Sequence, residues 1–262
     1  IPANDVERLE QNKDTEIVKR LSTVVEYLDM NVTKKPLDDV RVRQAIDYAI
    51  DEEAIGQSVY RGNAEYCATA VTPNMNYYDD SDTECRFDVD KAKALLKEAG
   101  VSDLKLTLTC AENANRLNAA TIIQNMLAEV GITVEIQSYE SGTFYDMVDA
   151  GETELFIVGF GAVGFPEPDN NIYGPYHSKQ IPTNNMGFYS DPELDAMLDA
   201  QRATDDGPER EKIIKDIQKY LRENLPVIPY ANSQQVLGIR SNVKGFTPTP
   251  AASHFFEKVY FE

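Results

Sequence analysis

Between Leu104 and Val158 the chain alternates strand, helix, strand, helix, strand, and this order constrains the fold more than any other feature. Leu104, Leu106 and Leu108 alternate with polar neighbours, the period of a half-buried strand. Ala119, Ile122, Ile123, Met126, Leu127 and Val130 then recur at helical spacing, and Gly131 ends the run. Ile132-Thr133-Val134-Glu135-Ile136 reads as a second strand, and Phe144 to Val148 as a short helix. Leu155-Phe156-Ile157-Val158 is a continuous apolar run, suited to a strand covered on both faces. Strands joined through helices run parallel with right-handed crossovers. Ligands of such sheets bind beyond the carboxyl ends of the strands, and the segment starting at Gly159 lies at one of those ends.

Similar patterns flank this unit. Val42, Ala45, Ile46, Ala49 and Ile50 form one helical stripe, with Asp38 or Asp39 as its cap. A helix from Asp88 buries Ala92, Leu95, Leu96 and Ala99 and stops at Gly100. Asp191-Pro192 and Pro208 each open a further helix. Val227-Ile228-Pro229-Tyr230 and Val236-Leu237-Gly238-Ile239 read as two strands, the prolines placing the first at an edge or crossover. Between Gly159 and Asn185 Gly, Pro, Asn, Tyr and His replace any periodicity, which predicts a long segment without regular structure. The expected class is α/β, a mixed, largely parallel sheet flanked by helices.

Composition excludes more than it selects. With 25 basic against 44 acidic residues the net charge is −19, the wrong sign for nucleic acid. No apolar run is long enough to span a bilayer, and Ile1-Pro2-Ala3-Asn4-Asp5 reads as an internal cut ahead of a short helix rather than as a signal peptide. Of three cysteines, Cys110 ends an apolar strand as a buried thiol, while Cys67 and Cys85 flank a turn-rich loop that a disulfide would close.

No catalytic constellation stands out. His177 and His254 lie far apart, and neither His-x-x-x-His nor Cys-x-x-Cys spacing occurs. Gly159-Phe160-Gly161-Ala162-Val163-Gly164 superficially fits a dinucleotide fingerprint, but Phe165-Pro166-Glu167-Pro168 obstructs the helix such a motif must open. As a recognition surface the segment reads better. Phe160, Phe165, Tyr173 and Tyr176 offer amphipathic contact area, and the glycines admit close backbone approach. A rigid, aromatic-packed surface loop fits the same composition.

Several segments, in order, resemble the peptide/nickel class (family 5) of solute-binding proteins that serve ABC importers. They are Tyr27-Leu28-Asp29-Met30-Asn31, then Pro36-Leu37-Asp38-Asp39-Val40-Arg41-Val42-Arg43-Gln44-Ala45-Ile46, and the Lys-Ala-Lys-x-Leu-Leu pattern at Lys91-Ala92-Lys93-Ala94-Leu95-Leu96 with Ala99-Gly100. Asn115-Arg116, Ile123-Gln124, Val130-Gly131-Ile132, Pro226-Val227-Ile228-Pro229 and Val243-Lys244-Gly245-Phe246 continue the likeness. The resemblance implies one lobe of a two-lobed, periplasmic-binding-protein-like (class C) fold, matching roughly the C-terminal half of a member. Residues 31–225 would form the ligand-recognition lobe, and residues 1–30 and 226–262 the crossover strands and remnants of the first lobe. It further implies an extracytoplasmic protein, periplasmic or on the outer face of the membrane. A lipid anchor on an N-terminal part outside this chain would tether it there. Such a protein needs no cofactor and is not an enzyme. It captures a peptide or similar small solute by hinge closure and delivers it to the transmembrane subunits of a permease.

The same resemblance places a ligand carboxylate on Arg116 in Asn113-Ala114-Asn115-Arg116, with Asn115 beside it, although a cap or salt bridge at the helix start would equally employ the arginine. Phe160, Gly161, Ala162, Val163, Phe165 and Tyr173 complete the expected ligand-binding set. Peptide binders of this class carry an Asp after a Gly-Trp strand end. Here the stretch has Phe160 for Trp and no carboxylate before Glu167 and Asp169. That departure leaves an oligosaccharide or a metal chelate as alternative ligands, a transport-free receptor as another role, and a carboxylate-dependent hydrolase as a remote one.

Overall fold

A short helix, α1 (Ala3–Glu10), leads into β1 (Thr15–Met30). Helices α2 (Val40–Ala49) and α3 (Glu52–Tyr60) follow, then the two-residue β2 (Ala64–Glu65) and, after a long loop, α4 (Val89–Glu98). The alternating unit consists of β3 (Lys105–Ala111), α5 (Ala114–Glu129), β4 (Thr133–Tyr139), α6 (Ser141–Asp149) and β5 (Leu155–Gly161). Helices α7 (Pro168–Tyr176), α8 (Pro192–Ala203) and α9 (Pro208–Asn224) precede β6 (Val227–Arg240), and a small pair, β7 (Val243–Lys244) with β8 (Tyr260–Phe261), ends the chain. The structure, a computed structural model, describes residues 1, 3–161, 165–250 and 254–262. Ala162 and Val163 of the expected ligand set therefore lie outside the described residues.

The main sheet has the order β2-β6-β1-β5-β3-β4. Strands β3, β4 and β5 run parallel, as the alternating pattern requires, whereas β1 is antiparallel to both β5 and β6. The sheet is thus mixed, with its parallel part confined to those three strands. One face, with Leu28, Met30, Leu108, Leu155 and Ile157, packs under α2, α3, α4 and α5. The opposite face meets α6 through Phe144, Phe156 and Val158, and α7, α8 and α9 through Val25, Tyr27, Tyr176, Leu194 and Ile217.

Local chemistry sets most boundaries. Asp39 accepts from Arg41 N at 2.9 Å, Asp88 from Lys91 N at 2.9 Å and Asp191 from Glu193 N at 2.8 Å, each satisfying an orphan amide at a helix start. Gly100 and Gly131 end their helices with φ of 71° and 86°. Two readings need correction. The segments around Val227 and Val236 are one strand, β6, and Pro229 sits where β2 no longer pairs and the β1–β6 register shifts, so the ladder loses nothing there. The segment after Gly159 also contains a helix. Pro168 lies at its N-terminus, where a missing N–H is harmless, and Pro175 falls in its last turn.

Arg43, 5 % exposed, has no ion pair with a carboxylate among the described residues; it donates to the carbonyls of Leu37 and Asp38 at 3.0 and 3.2 Å and of Asn224 and Leu225 at 2.8 and 3.0 Å. One planar cation thereby joins the entry to α2, the end of α9 and the start of β6.

The Cys67–Cys85 bridge considered from the sequence is not formed. The Cys67 thiol is buried against α7–α9 and donates to Thr69 O at 3.0 Å, while the Cys85 thiol donates to Glu52 Oε2 at 2.8 Å. Burial pushes the two thiols up to about 12 and about 11. Cys110 is a buried thiol as expected. The intact mass should therefore be unchanged by reductant, with Cys67 alkylated by iodoacetamide only after unfolding; a reductant-dependent gain of two protons would contradict this arrangement.

Asp29 is buried between the Tyr27 and Tyr176 side of the sheet and the backbone near Gly187, with Met30 N donating to it at 2.7 Å. Desolvation raises its carboxyl to about 8, against about 4 in the unfolded chain. Burial also raises Asp47 and Glu52. Folded-state values above the unfolded ones mean that the native protein binds the extra protons, so the contribution of these groups is fully present below about 4 and is lost as pH rises through about 8. Melting temperature should drop between mildly acidic and alkaline buffer, and Asp29→Asn should flatten that slope; a melting temperature that rises with pH would refute the assignment.

Candidate ligand-binding site

The carboxyl ends of β3 and β5 lie at one edge of the sheet, where antiparallel pairing sets Glu26 of β1 opposite Gly159. Helix α5 starts just beyond β3. The Asn113 side chain caps it, accepting from Asn115 N at 3.0 Å and Arg116 N at 3.2 Å. Arg116 is thereby fixed in the first turn, and its Nε donates to Glu26 Oε2 at 3.2 Å. The two side chains are 17 % and 14 % exposed and line a recess of about 220 Å³ together with Tyr60, Asn63, Asn115 and Ser233.

Gly159 makes this arrangement possible. A Cβ there would stand 2.7 Å from Glu26 Oε1, so the carboxylate occupies the space a side chain would fill. At Gly161 a Cβ would stand 2.8 Å from the Val24 backbone. Burial works against the charge on Arg116, but attraction and hydrogen bonding to Glu26 hold the guanidinium above its usual value. Burial, with the Glu26 charge added, raises the hydroxyls of Tyr60 and Tyr230 beside the pair.

The sequence-predicted residues divide. Arg116 and Asn115 face the recess. Phe160 and Gly161 belong to β5, which continues past Gly159 instead of ending there. The Phe160 ring packs against α7, where a Cβ on Gly174 would meet its Cζ at 3.0 Å. Phe165 is 76 % exposed. Tyr173 and Tyr176 are a correction: both are buried, and Tyr173 donates to Asp199 Oδ1 at 3.2 Å beneath the Arg202 guanidinium, 3.2 Å from its ring centroid. They serve packing of α7 rather than a surface. Asn171 fixes the same helix by donating to Thr23 O at 3.0 Å and Ala70 O at 2.8 Å.

Glu167 and Asp169 are also spoken for. Arg210 Nη2 donates to Glu167 at 2.6 Å, and Arg202 grips Asp169 with Nε and Nη2, each at 2.7 Å. Sequence reading missed Glu26, Tyr60 and Asn63, and took Gly159 for the start of a loop instead of a strand position opposite Glu26. A usable signal was present at Glu26 and Gly159, a lone acid inside Val24-Val25-Glu26-Tyr27-Leu28 and a glycine interrupting an apolar strand.

Backbone contact at Gly161 predicts that Gly161→Ala destabilises the protein by about 1–3 kcal/mol in urea titration. Gly56→Ala, on α3, meets no neighbouring atom, needs no left-handed backbone, and supplies the comparison for loss of a glycine alone. Equal effects of the two changes would show that Val24 does not constrain Gly161.

Comparison with known proteins follows the same geometry. Residues 1–183 match the middle-region model of the bacterial extracellular solute-binding proteins, family 5. The dipeptide-binding protein of Escherichia coli K12 is 33 % identical over 268 residues, covering 98 % of this chain and 49 % of that protein. Heme-binding protein A of Haemophilus influenzae is 28 % identical over 252 residues, covering 94 % of this chain and 46 % of its own length. Among solved structures, the ABC transporter-associated periplasmic binding protein DppA from Helicobacter pylori, in complex with peptide STSA, superposes with a TM-score of 0.89 at 30 % identity, covering 99 % of this chain and 51 % of that one. The chain spans about half the length of the curated relatives it matches. With more than half of its residues matching the family model and its fold shared with these structures, the chain belongs to the bacterial extracellular solute-binding proteins of family 5.

Proposed function

We propose that this chain supplies one ligand-binding face of the extracytoplasmic substrate-binding component of an ABC importer, that the solute is a peptide, and that the role is capture rather than catalysis. Closure of a second, facing lobe over the recess would trap the solute and create the form that a permease recognises. Membrane attachment through a lipidated cysteine outside these residues belongs to the same reading.

The observation that carries the proposal is Arg116 at the carboxyl ends of β3 and β5, with its Nε on Glu26 and its terminal nitrogens without an acceptor among the described residues. A guanidinium with an open fork suits a ligand carboxylate, which it can hold through two parallel hydrogen bonds. Relatives named as dipeptide-binding and di/tripeptide-binding proteins support a peptide over a sugar.

Native mass spectrometry of the full-length protein as purified is the direct test. Retained masses should form a peptide distribution; a single sugar- or chelate-sized adduct would reassign the ligand. In calorimetry, Arg116→Ala should weaken a retained peptide by about 2 kcal/mol. Unchanged affinity would remove Arg116 from the site.

A further inference from the structure

Outside the recess, two buried acids, Asp47 of α2 and Glu52 of α3, lie beside one buried cation, Arg222 of α9. The terminal nitrogens of Arg222 are engaged elsewhere: Nη1 donates to the Tyr66 hydroxyl at 2.9 Å and Nη2 to the Glu84 carbonyl. Its Nε and Asp47 Oδ2 are both buried and without a hydrogen bond among the described residues, and the half-exposed Asp82 carboxylate stands 3.5 Å from that Nε. Glu52 Oε2 receives the Cys85 thiol at 2.8 Å.

Residues 81–88 run across this cluster as a strap. None of them is buried, and none joins an apolar cluster among the described residues. Their anchors are polar: the Cys85 thiol on Glu52, the Glu84 carbonyl on Arg222, Arg86 Nη1 on the Arg222 carbonyl at 2.9 Å and Asp88 N on the Tyr48 carbonyl at 2.8 Å. Beneath the strap lies a cavity of about 190 Å³, lined by Ser81, Asp82 and Arg86 on one side and by Gln218 and Arg222 of α9 on the other.

The charges here do not balance once both acids ionise. Two buried carboxylates then face one buried guanidinium, because Arg86 is already held by Asp82. Tyr66 and Cys85 bring no charge, since burial holds the protons of both. Burial raises both acids, the Asp47 charge adds to the effect at Glu52, and the pull of Arg222 does not cancel it. Folded-state values above the unfolded ones mean that the contribution of the pair is present at acid pH and lost as pH rises. A thiol is a weak donor, so its bond to Glu52 does not offset burial of a second negative charge. Water can reach the pair most easily where apolar packing is absent, and that place is the strap.

We propose that residues 81–88 are a pH-released strap: proton loss from the Asp47–Glu52 pair lifts the strap off Glu52 and Arg222, hydrates the acids and opens the cavity, while the sheet and its helices stay folded. No ligand takes part, so the inference stands apart from peptide capture.

Trypsin reports the opening at Arg86, whose side chain is 24 % exposed in the closed arrangement. Cleavage of the Arg86–Phe87 bond in the full-length protein is timed from about pH 6 to about pH 9 and divided by the rate for a free peptide of residues 80–90, which removes the pH dependence of the protease. The normalised rate should rise about tenfold or more, the factor for one pH unit of titration, with the far-ultraviolet circular dichroism unchanged. Glu52→Gln, which keeps an acceptor for the thiol but carries no charge, should hold the rate flat. If that variant fails to fold by circular dichroism, Asp47→Asn takes its place with the same expectation. A flat rate in wild type overturns the proposal, as does a rise that the folded variant leaves intact. A rise accompanied by loss of the dichroism signal overturns it too, because the whole fold and not the strap is then opening.

Discussion

From Val25 to Asp29, strand β1 is paired along both edges, to β5 on one side and β6 on the other. Both buried faces of the molecule hang on that double pairing. Leu28 and Met30 project under α2–α5, and Val25 and Tyr27 project under α7–α9. Because successive residues of a strand alternate between faces, a one-residue slip would place apolar side chains where polar ones belong across two cores at once. The register shifts in β1–β6, between Leu21 and Val25 and between Glu26 and Tyr27, bracket the acid of the recess.

Electrostatics separate into an outside and an inside. The −19 net charge is spread over the surface, where it acts mainly on solubility. Inside, burial holds protons on Asp29 and raises Asp47 and Glu52, while the Arg43 guanidinium is solvated by backbone carbonyls. Glu26 and Arg116 lie between these regimes, sheltered enough for their attraction to matter and open enough to exchange partners.

Much of the fold was legible in the sequence because its signals are local. The caps at Asp39, Asp88 and Asp191 and the stops at Gly100 and Gly131 were written in single residues, and β3-α5-β4-α6-β5 in hydrophobic period. Helix α7 was not legible, since Gly174 and Pro175 argue against helix and its stability comes from tertiary bonds of Asn171 and from buried Ile172 and Tyr176. The site was half legible. Arg116 was visible through a likeness of motif, but Glu26 becomes its partner only through a tertiary contact between β1 and α5, 90 residues apart, which no local pattern encodes.

Arg43 has a mechanical consequence. Its guanidinium clasps the carbonyls of Leu37, Asp38, Asn224 and Leu225, where the chain passes between the helical layers and the two long strands. Those joints are riveted, so a torque applied through β1 and β6 cannot be absorbed there. It passes outward to the stretch where Thr15–Leu21 pairs with Gln234–Arg240 and β5 no longer flanks β1. A ribbon of two strands bends far more easily than a backed sheet, so compliance is concentrated in the arms of the molecule while the pocket wall stays stiff.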